Sequence, residues 1–223
     1  MSIEIAFLGY PGLTVLDLIG PFEVLHAIPG ARLHLVAKER QPFTSDTGVQ
    51  VVPTATYADV PRADVLCVPG GAGQPDLMED QPTLEWLRAL AVHARYVTSV
   101  CTGSFLLASA GLLRGYRATS HWASLPLLAS YGATPIEERV VIDRNRITGA
   151  GVTAGLDLAL HLAELLSSRT VAEAIQLGLE YDPDPPFHAG HPRVASPATV
   201  EMVRKRFADR IARRTEQARR QAS

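Results

Sequence analysis

Cysteine is scarce in this chain of 223 residues, which contains only Cys67 and Cys101. Each follows an apolar, strand-like run, so the two do not form the dense cysteine pattern of a small disulfide-stabilised domain. We therefore expect a reduced, cytoplasmic protein. His188 and His191 lie close together in the sequence, but no cysteine or acidic cluster accompanies them, and we expect no metal site.

The chain also lacks long apolar runs and an excess of charge of one sign. No apolar run approaches the roughly 20 residues that cross a bilayer, and the N-terminal MSIEIAFLGYPG has neither the basic region nor the apolar core of a signal peptide. Lys and Arg number 21 against 23 Asp and Glu, a net charge of −2. This near balance argues against a dedicated partner among nucleic acids or membrane surfaces.

Strand-like and helix-like segments alternate along the chain. Apolar runs rich in β-formers predict strands at residues 3–8, 32–37, 64–68 and 96–100. Apolar periodicity predicts helices at residues 15–28, 83–93, 121–131, 152–166, 171–179 and about 198–220. Gly20-Pro21 is expected to kink or break the first helix. The alternation implies an α/β fold with a mainly parallel sheet sandwiched by helices, and without a linker or repeat residues 1–223 are expected to form a single domain.

Residues 96–113, YVTSVCTGSFLLASAGLL, predict a strand, a tight turn and a helix, with Cys101 at the end of the strand. This is the layout of a nucleophile elbow. Unpaired N–H groups and the helix dipole at such a turn favour a thiolate, which makes Cys101 the candidate nucleophile. The alternative is a buried structural cysteine, the usual state of a free cysteine.

Other candidate site residues lie in loops that a parallel sheet brings to the same edge. Asp17 is a single acid in the apolar run VLDLI, where burial would raise its pKa and suit it to general-acid catalysis. The N–H groups of Gly70 and Gly71, with that of Thr102, are candidates for an oxyanion hole. The structural alternatives are a helix-start aspartate, a simple glycine turn and a threonine that only tolerates the turn.

Several further residues have a structural interpretation beside a functional one. His121 is a candidate base for Cys101 or a buried histidine, and Glu23 is expected to be a buried acid with a partner. Val152 begins an apolar helix near the same edge and is a candidate substrate-binding residue. The segment 201–223 has eight basic and three acidic residues. We interpret it as a solvated face with i,i+4 ion pairs, because one basic helix is not a helix-turn-helix.

With Asp17, the turn VPGG (68–71) and the segment SVCTGSFLLASAGLL (99–113) taken together, the chain resembles the ThiJ/PfpI superfamily. The segments DLIGPFEVL, RATSHW, GAGVTAGLDLALHL and EYDPDPPFHAGHP are also similar, so the resemblance covers nearly the whole chain. It implies the flavodoxin-like fold of class I glutamine amidotransferases. Within the superfamily these segments most resemble isonitrile hydratases, homodimeric enzymes that convert R–N≡C and water to an N-substituted formamide.

The resemblance implies a Cys101 nucleophile, an Asp17 acid and an assisting Thr102, with an isonitrile as the small-molecule partner and no metal or organic cofactor. PfpI-type peptidases carry histidine directly after the nucleophile, where this chain has Thr102, and no histidine here has glutamate two places on, as amidotransferases do. Both activities are therefore disfavoured. AraC-type regulators contain a similar domain but continue into two helix-turn-helix units, for which we expect no room here. A redox or electrophile sensor, or an enzyme for another small electrophile, stays open.

Overall fold

The structure is a computed structural model that describes residues 2–222, with the side chains of residues 2–220. The strands in chain order are β1 (Ile3–Leu8), β2 (Ala31–Ala37), β3 (Phe43–Thr44), β4 (Gln50–Val51), β5 (Ala55–Thr56), β6 (Val65–Val68), β7 (Tyr96–Val100), β8 (Arg117–Ala118), β9 (Thr134–Pro135), β10 (Val140–Asp143) and β11 (Arg146–Gly149). The helices are α1 (Val15–His26), α2 (Gln74–Leu77), α3 (Gln81–His93), α4 (Gly103–Ser109), a 3-10 helix (Leu125–Tyr131), α5 (Ala154–Leu166), α6 (Arg169–Gly178), α7 (Pro197–Arg206) and α8 (Ala208–Ala222).

The central sheet has seven strands in the order β10-β11-β7-β6-β1-β2-β5. Every neighbouring pair is parallel except β10 and β11, which form an antiparallel hairpin. The central strands are apolar along much of their length because helices cover both faces of the sheet, so side chains on both sides are buried. The mainly parallel α/β sheet predicted from the sequence is confirmed.

The register of the sheet brings three loops to one edge. Phe7 pairs with Cys67, and Cys67 pairs with Thr98, so β1, β6 and β7 end side by side. The N–H of Thr14, after β1, donates to the carbonyl of Gly70, after β6, at 2.9 Å. The loops after these parallel strands are therefore joined where ligands bind in sheets of this type.

Two expectations for α1, a break at Pro21 and a buried Glu23, are wrong. The helix continues without a break through Pro21, although proline removes one backbone hydrogen bond. Its packing against α5 explains this, because a Cβ on Gly155 would lie only 3.1 Å from Cγ of Pro21. Glu23, expected to be a buried acid, is exposed on the outer side of the helix.

Two further helix predictions need correction. Within residues 121–131 only Leu125–Tyr131 is helical, as a 3-10 helix, because a proline in its first turn favours a start there and the preceding residues form a turn. The single helix predicted at about 198–220 is two helices, α7 and α8, which meet at Phe207.

Helix α8 packs across the 3-10 helix and α2 and so reaches the same edge of the sheet. The Nε2 of Gln217 donates to the carbonyl of Pro75 at 2.8 Å, and Arg213 forms an ion pair with Asp76. Both contacts attach the C-terminal helix to α2, the short helix after the glycine turn. None of the helices within residues 2–222 combines the length and the apolar character needed to cross a membrane.

Candidate active site

Cys101 follows β7 in a left-handed backbone conformation, with a φ of 57°. Residues other than glycine rarely adopt this conformation because Cβ crowds the backbone. Three hydrogen bonds hold it: the N–H of Cys101 donates to the carbonyl of Gly149 (3.0 Å), and its own carbonyl accepts from the hydroxyls of Ser104 (3.2 Å) and Ser120 (3.0 Å). The strand, tight turn and helix of the predicted nucleophile elbow are therefore present.

The carboxyl group of Asp17 is buried in the first turn of α1, with 2% of the residue exposed. Its Oδ2 accepts a hydrogen bond of 2.9 Å from the N–H of Gly70, whereas Oδ1 is buried and has no hydrogen-bond partner among residues 2–220. Burial raises the pKa of Asp17 to about 7; the Gly70 N–H and the Cys101 thiol oppose this rise, and the charge of Asp46 adds to it. Near neutral pH this carboxyl group can serve as acid or as base.

The thiol of Cys101 is buried beside this carboxyl group, with 6% of the residue exposed. Burial, followed by the charge of Asp17, raises the pKa of the thiol well above its ordinary value, although the Thr102 N–H and the charge of Arg214 oppose the rise. Desolvation therefore opposes the preference for a thiolate that the sequence predicts at this turn, and the N–H of Thr102 supports that preference. Cys101 and Asp17 form a coupled pair that shares protons.

The glycine turn after β6 holds both Asp17 and Thr102 in place. A Cβ on Gly70 would lie 2.6 Å from the nitrogen of Thr102 and 3.0 Å from Oδ2 of Asp17, so only glycine fits. The N–H of Gly71 donates to Oγ1 of Thr102 at 3.2 Å. Of the two candidate oxyanion donors in this turn, Gly70 therefore has its N–H engaged by the acid, and Gly71 has a hydroxyl partner.

A cavity of about 340 Å³ opens at this edge of the sheet, with Cys101, Thr102, Gly71 and Val152 in its wall. Asp17 lies directly beside it, next to the thiol. The structure thus brings the candidate residues predicted from the sequence to one place. A larger cavity, of about 420 Å³, lies between α5 and α6 and contains none of them.

His121 lines the same cavity, but no hydrogen bond joins it to Cys101 in the part of the chain that the structure describes. Its Nδ1 accepts from the N–H of Ala123 at 3.3 Å, and its ring packs edge-on against Phe207. Burial and the nearby charge of Arg214 lower the pKa of His121 to about 4, so the ring is neutral near pH 7. These contacts favour the packing interpretation over the base.

Arg214, which is not among the candidate residues predicted from the sequence, lies on α8 and reaches the cavity wall with 4% of the residue exposed. Its Nε donates to Oε1 of Gln74 at 2.8 Å. Its Nη atoms donate at 3.4 Å to Oγ of Ser124, the carbonyl of Gly71 and Oγ1 of Thr102. The expectation that the C-terminal basic residues form a solvated face is therefore wrong at this position.

The sequence does contain a signal for Arg214. The apolar stripe of the C-terminal segment comprises Val200, Val203, Phe207 and Ile211. Continued at the same helical spacing, the stripe reaches Arg214 and Ala218, both of which are buried. An arginine on the inward stripe of an amphipathic helix indicates a buried polar contact, because arginine is almost never fully buried without one.

Two relatives connect this geometry to known proteins. The chain is 52% identical over 216 residues to the isonitrile hydratase of Pseudomonas putida, a match that covers 97% of this chain and 95% of that protein. It is 34% identical over 182 residues to the HTH-type transcriptional regulator GbdR of Pseudomonas aeruginosa, which covers 77% of this chain and 49% of the regulator. The likeness to the regulator thus concerns about half of that protein.

Solved structures share the fold. A THiJ/PfpI family protein from Pseudomonas syringae has a TM-score of 0.95 at 45% identity, over 98% of this chain and 91% of that chain. Drosophila melanogaster DJ-1beta has a TM-score of 0.74 at 24% identity, over 81% of this chain and 98% of that chain. The predicted flavodoxin-like fold is confirmed. Residues 4–165, which include Asp17, the glycine turn and the nucleophile elbow, match the DJ-1/PfpI family, and the chain belongs to that family.

Proposed function

We propose that the protein is an isonitrile hydratase, which converts R–N≡C and water to an N-substituted formamide with Cys101 as the nucleophile. The observation that carries the proposal is the buried pairing of Cys101 with Asp17 beside one cavity. An isonitrile carbon receives both a nucleophile and a proton, so its hydration needs a thiol and an acid side by side. The relative from Pseudomonas putida bears the name of this activity.

In the first step, the carboxylate of Asp17 takes the proton of the Cys101 thiol while the sulfur attacks the terminal isonitrile carbon. Asp17 then returns that proton to the same carbon, which leaves a thioimidate, R–N=CH–S, on Cys101. We assign the transfer to Oδ1, because Oδ2 is occupied by the Gly70 N–H. A carboxyl group with a pKa of about 7 accepts and releases a proton at little cost near neutral pH.

In the second step, water adds to the thioimidate carbon and its proton passes to the nitrogen, which gives R–NH–CH(OH)–S on Cys101. The hydroxyl then loses its proton, the C–S bond breaks, the thiol regains a proton through Asp17 and the formamide leaves. We assign stabilisation of the developing oxyanion to the N–H groups of Gly71 and Thr102, which must then exchange their present partners, Oγ1 of Thr102 and the Cys101 thiol, for the oxyanion. Gly70 has a supporting role in this scheme, because its N–H binds the acid.

The R group of the substrate is expected to lie against the apolar part of the cavity, which Val152, Phe207, Ile211 and the neutral ring of His121 contribute. A volume of about 340 Å³ suits a compact ligand of a single ring. An isonitrile is uncharged, so apolar contact supplies its binding energy and the polar groups are left for the reaction.

The proposal includes a homodimer and a cytoplasmic location. The resemblance to homodimeric hydratases supports the first, and light scattering on the purified chain tests it. The second is supported by the two unpaired cysteines, Cys67 and Cys101, since thiols of this kind stay reduced in the cytosol.

The decisive experiment is formamide production from cyclohexyl isocyanide by the wild type and by Cys101→Ala, Asp17→Asn and Cys67→Ala. Cys67 is the matched control, because it is buried in β6 and its thiol has a pKa raised to about 12 by burial. We expect turnover in the wild type and Cys67→Ala, and a loss of about 1,000-fold or more in the other two variants. Mass spectrometry of the wild type should detect the substrate's mass added at Cys101.

A wild type without turnover, or a Cys101→Ala variant that keeps it, would exclude this function. A redox sensor is the second candidate; it depends on an accessible thiolate, whereas only 6% of Cys101 is exposed. Such a thiol reacts slowly with peroxide. Slow, non-saturable oxidation of Cys101 is therefore the expected control result.

A further inference from the structure

Arg214 is a buried cation at the catalytic cavity whose hydrogen-bond partners are all uncharged. They are the amide of Gln74, the hydroxyls of Ser124 and Thr102, and the carbonyl of Gly71. Among residues 2–220 none of the hydrogen bonds of this guanidinium group is to a carboxylate. A buried guanidinium group is costly unless opposite charge compensates it, so negative charge is expected elsewhere in the site.

Two neighbouring arginines of α8, Arg213 and Arg219, differ from it. Arg213 pairs with Asp76, and Arg219 with Glu216, both at the exposed surface. Since these pairs satisfy the neighbouring charges, the buried position of Arg214 is specific to the cavity and does not follow from the basic character of the helix.

Several titratable or charged groups surround Arg214 and the nearby catalytic pair. They are Tyr10, Asp17, Asp46, Cys101, His121, Arg210 and Arg213. Tyr10 is buried with its hydroxyl donating to the carbonyl of Pro69, and it stays protonated because burial raises its pKa far above neutral. His121 is neutral, and the two arginines have the same sign as Arg214. Asp46, whose Oδ2 accepts from Thr14, lies at the cavity wall.

The negative charge nearest to the reaction is the one that Cys101 and Asp17 share. We propose that Arg214 is a positioning residue that balances this charge and holds the hydroxyl of Thr102 beside the pair. With one proton on the pair and the guanidinium group nearby, the buried charges of these three groups cancel. Without Arg214 the Cys101 thiol would lose a nearby positive charge that favours its thiolate form, so the pair would hold its last proton on sulfur more strongly.

This inference rests on the proposed function for its catalytic meaning, but the charge balance itself does not need an isonitrile. It also gives α8 a role in the site, although that helix lies outside the residues 4–165 that match the family. The bond from Gln217 to Pro75 and the ion pair of Arg213 with Asp76 attach the helix, so that Arg214 is held at the cavity.

The test compares Arg214→Met, Arg214→Lys and the matched control Arg219→Met. The readouts are the rate of Cys101 alkylation by iodoacetamide and kcat/KM for cyclohexyl isocyanide, each as a function of pH, with thermal unfolding as a measure of folding. We expect Arg214→Met to move the midpoint of both profiles upward by about one pH unit or more. Arg214→Lys should restore most of the wild-type profile, and Arg219→Met should leave it unchanged.

A folded Arg214→Met with the wild-type alkylation profile would overturn the proposal and leave Arg214 a packing role only. If that variant does not fold, the Asp17→Asn/Arg214→Met double variant decides. Recovery of folding there supports charge balance, whereas continued failure to fold overturns it. A shifted alkylation profile in a protein that turns over no isonitrile would support the role of Arg214 and exclude the hydratase activity, so the two failures are distinguishable.

Discussion

Oδ2 of Asp17 and the backbone nitrogen of Gly70 lie 2.9 Å apart, and this buried hydrogen bond joins the acid on α1 to the turn after β6. The bond exists because β1 and β6 are neighbours in the sheet, so the segments that follow them meet at one edge. It fixes one oxygen of the carboxyl group and leaves the other without a partner among residues 2–220. The orientation of the acid is thus set by backbone, which is more rigid than a side-chain partner.

The first prediction concerns the pH dependence of turnover. The reactive form of the Cys101–Asp17 pair carries one proton, so kcat/KM should rise through the pKa of Asp17, about 7, and stay high until the Cys101 thiol ionises as well. Steady-state kinetics across this range would measure the rise. A profile that falls as the pH increases through 7 would contradict the assignment of Asp17 as the group that first accepts the thiol proton.

The second prediction concerns stability. The pKa of Asp17 is about 7 in the folded protein against 3.8 for an ordinary aspartate, so the folded state binds more protons between these values. The contribution of Asp17 to the free energy of unfolding is therefore largest below about pH 4, and it is lost as the pH rises towards 7. Asp17→Asn should remove this fall and raise the free energy of unfolding near pH 8 by up to about 4 kcal/mol.

Urea denaturation at several pH values would measure the effect, with Asp59→Asn as the control of opposite sign. Asp59 is exposed, and hydrogen bonds from Thr56 and then Arg40 lower its pKa to about 2. Its contribution to stability is present above the ordinary pKa and lost as the pH falls, so Asp59→Asn should give no gain near pH 8. An Asp17→Asn variant less stable than the wild type at that pH would count against a buried, desolvated carboxylate.

The third prediction compares two substitutions of the nucleophile. Cys101 has a φ of 57°, which glycine adopts freely and alanine does not. Cys101→Gly should therefore be more stable than Cys101→Ala by about 0.5–1 kcal/mol, although alanine buries more apolar surface. Chemical denaturation of both inactive variants measures this difference. Equal stability would indicate that the turn relaxes when the thiol is removed.

The fourth prediction concerns the glycine turn. A Cβ on Gly70 would meet Thr102 and the carboxyl group of Asp17, so Gly70→Ala should lower the free energy of unfolding by about 1–3 kcal/mol and reduce kcat about 100-fold. Gly178→Ala is the matched control, since a Cβ there at the end of α6 has open space around it. Unfolding and turnover measured on both variants separate a local clash from a general effect of alanine.

Sequence alone determined much of the fold and of the candidate site. The alternation of strands and helices, the strand before Cys101 and the isolated acid Asp17 are local patterns, and the central sheet has the predicted parallel arrangement. The edge at which the candidate residues meet also follows, because parallel strands place their carboxyl ends together. Periodicity and residue type suffice for such features, since they depend on neighbours along the chain.

The surroundings of the ionisable groups at the candidate site, Cys101 and Arg214 among them, depend on the tertiary structure alone. Burial of Cys101 by segments distant in sequence raises the pKa of its thiol and opposes the local preference of a helix N-terminus for a thiolate. Packing against α5 likewise keeps α1 intact through Pro21. Arg214 is the same residue type as the exposed arginines beside it. It is buried because α8 packs over the cavity with this side chain facing the cavity wall. Desolvation of a group depends on all the segments that pack around it, so a local sequence pattern does not predict it.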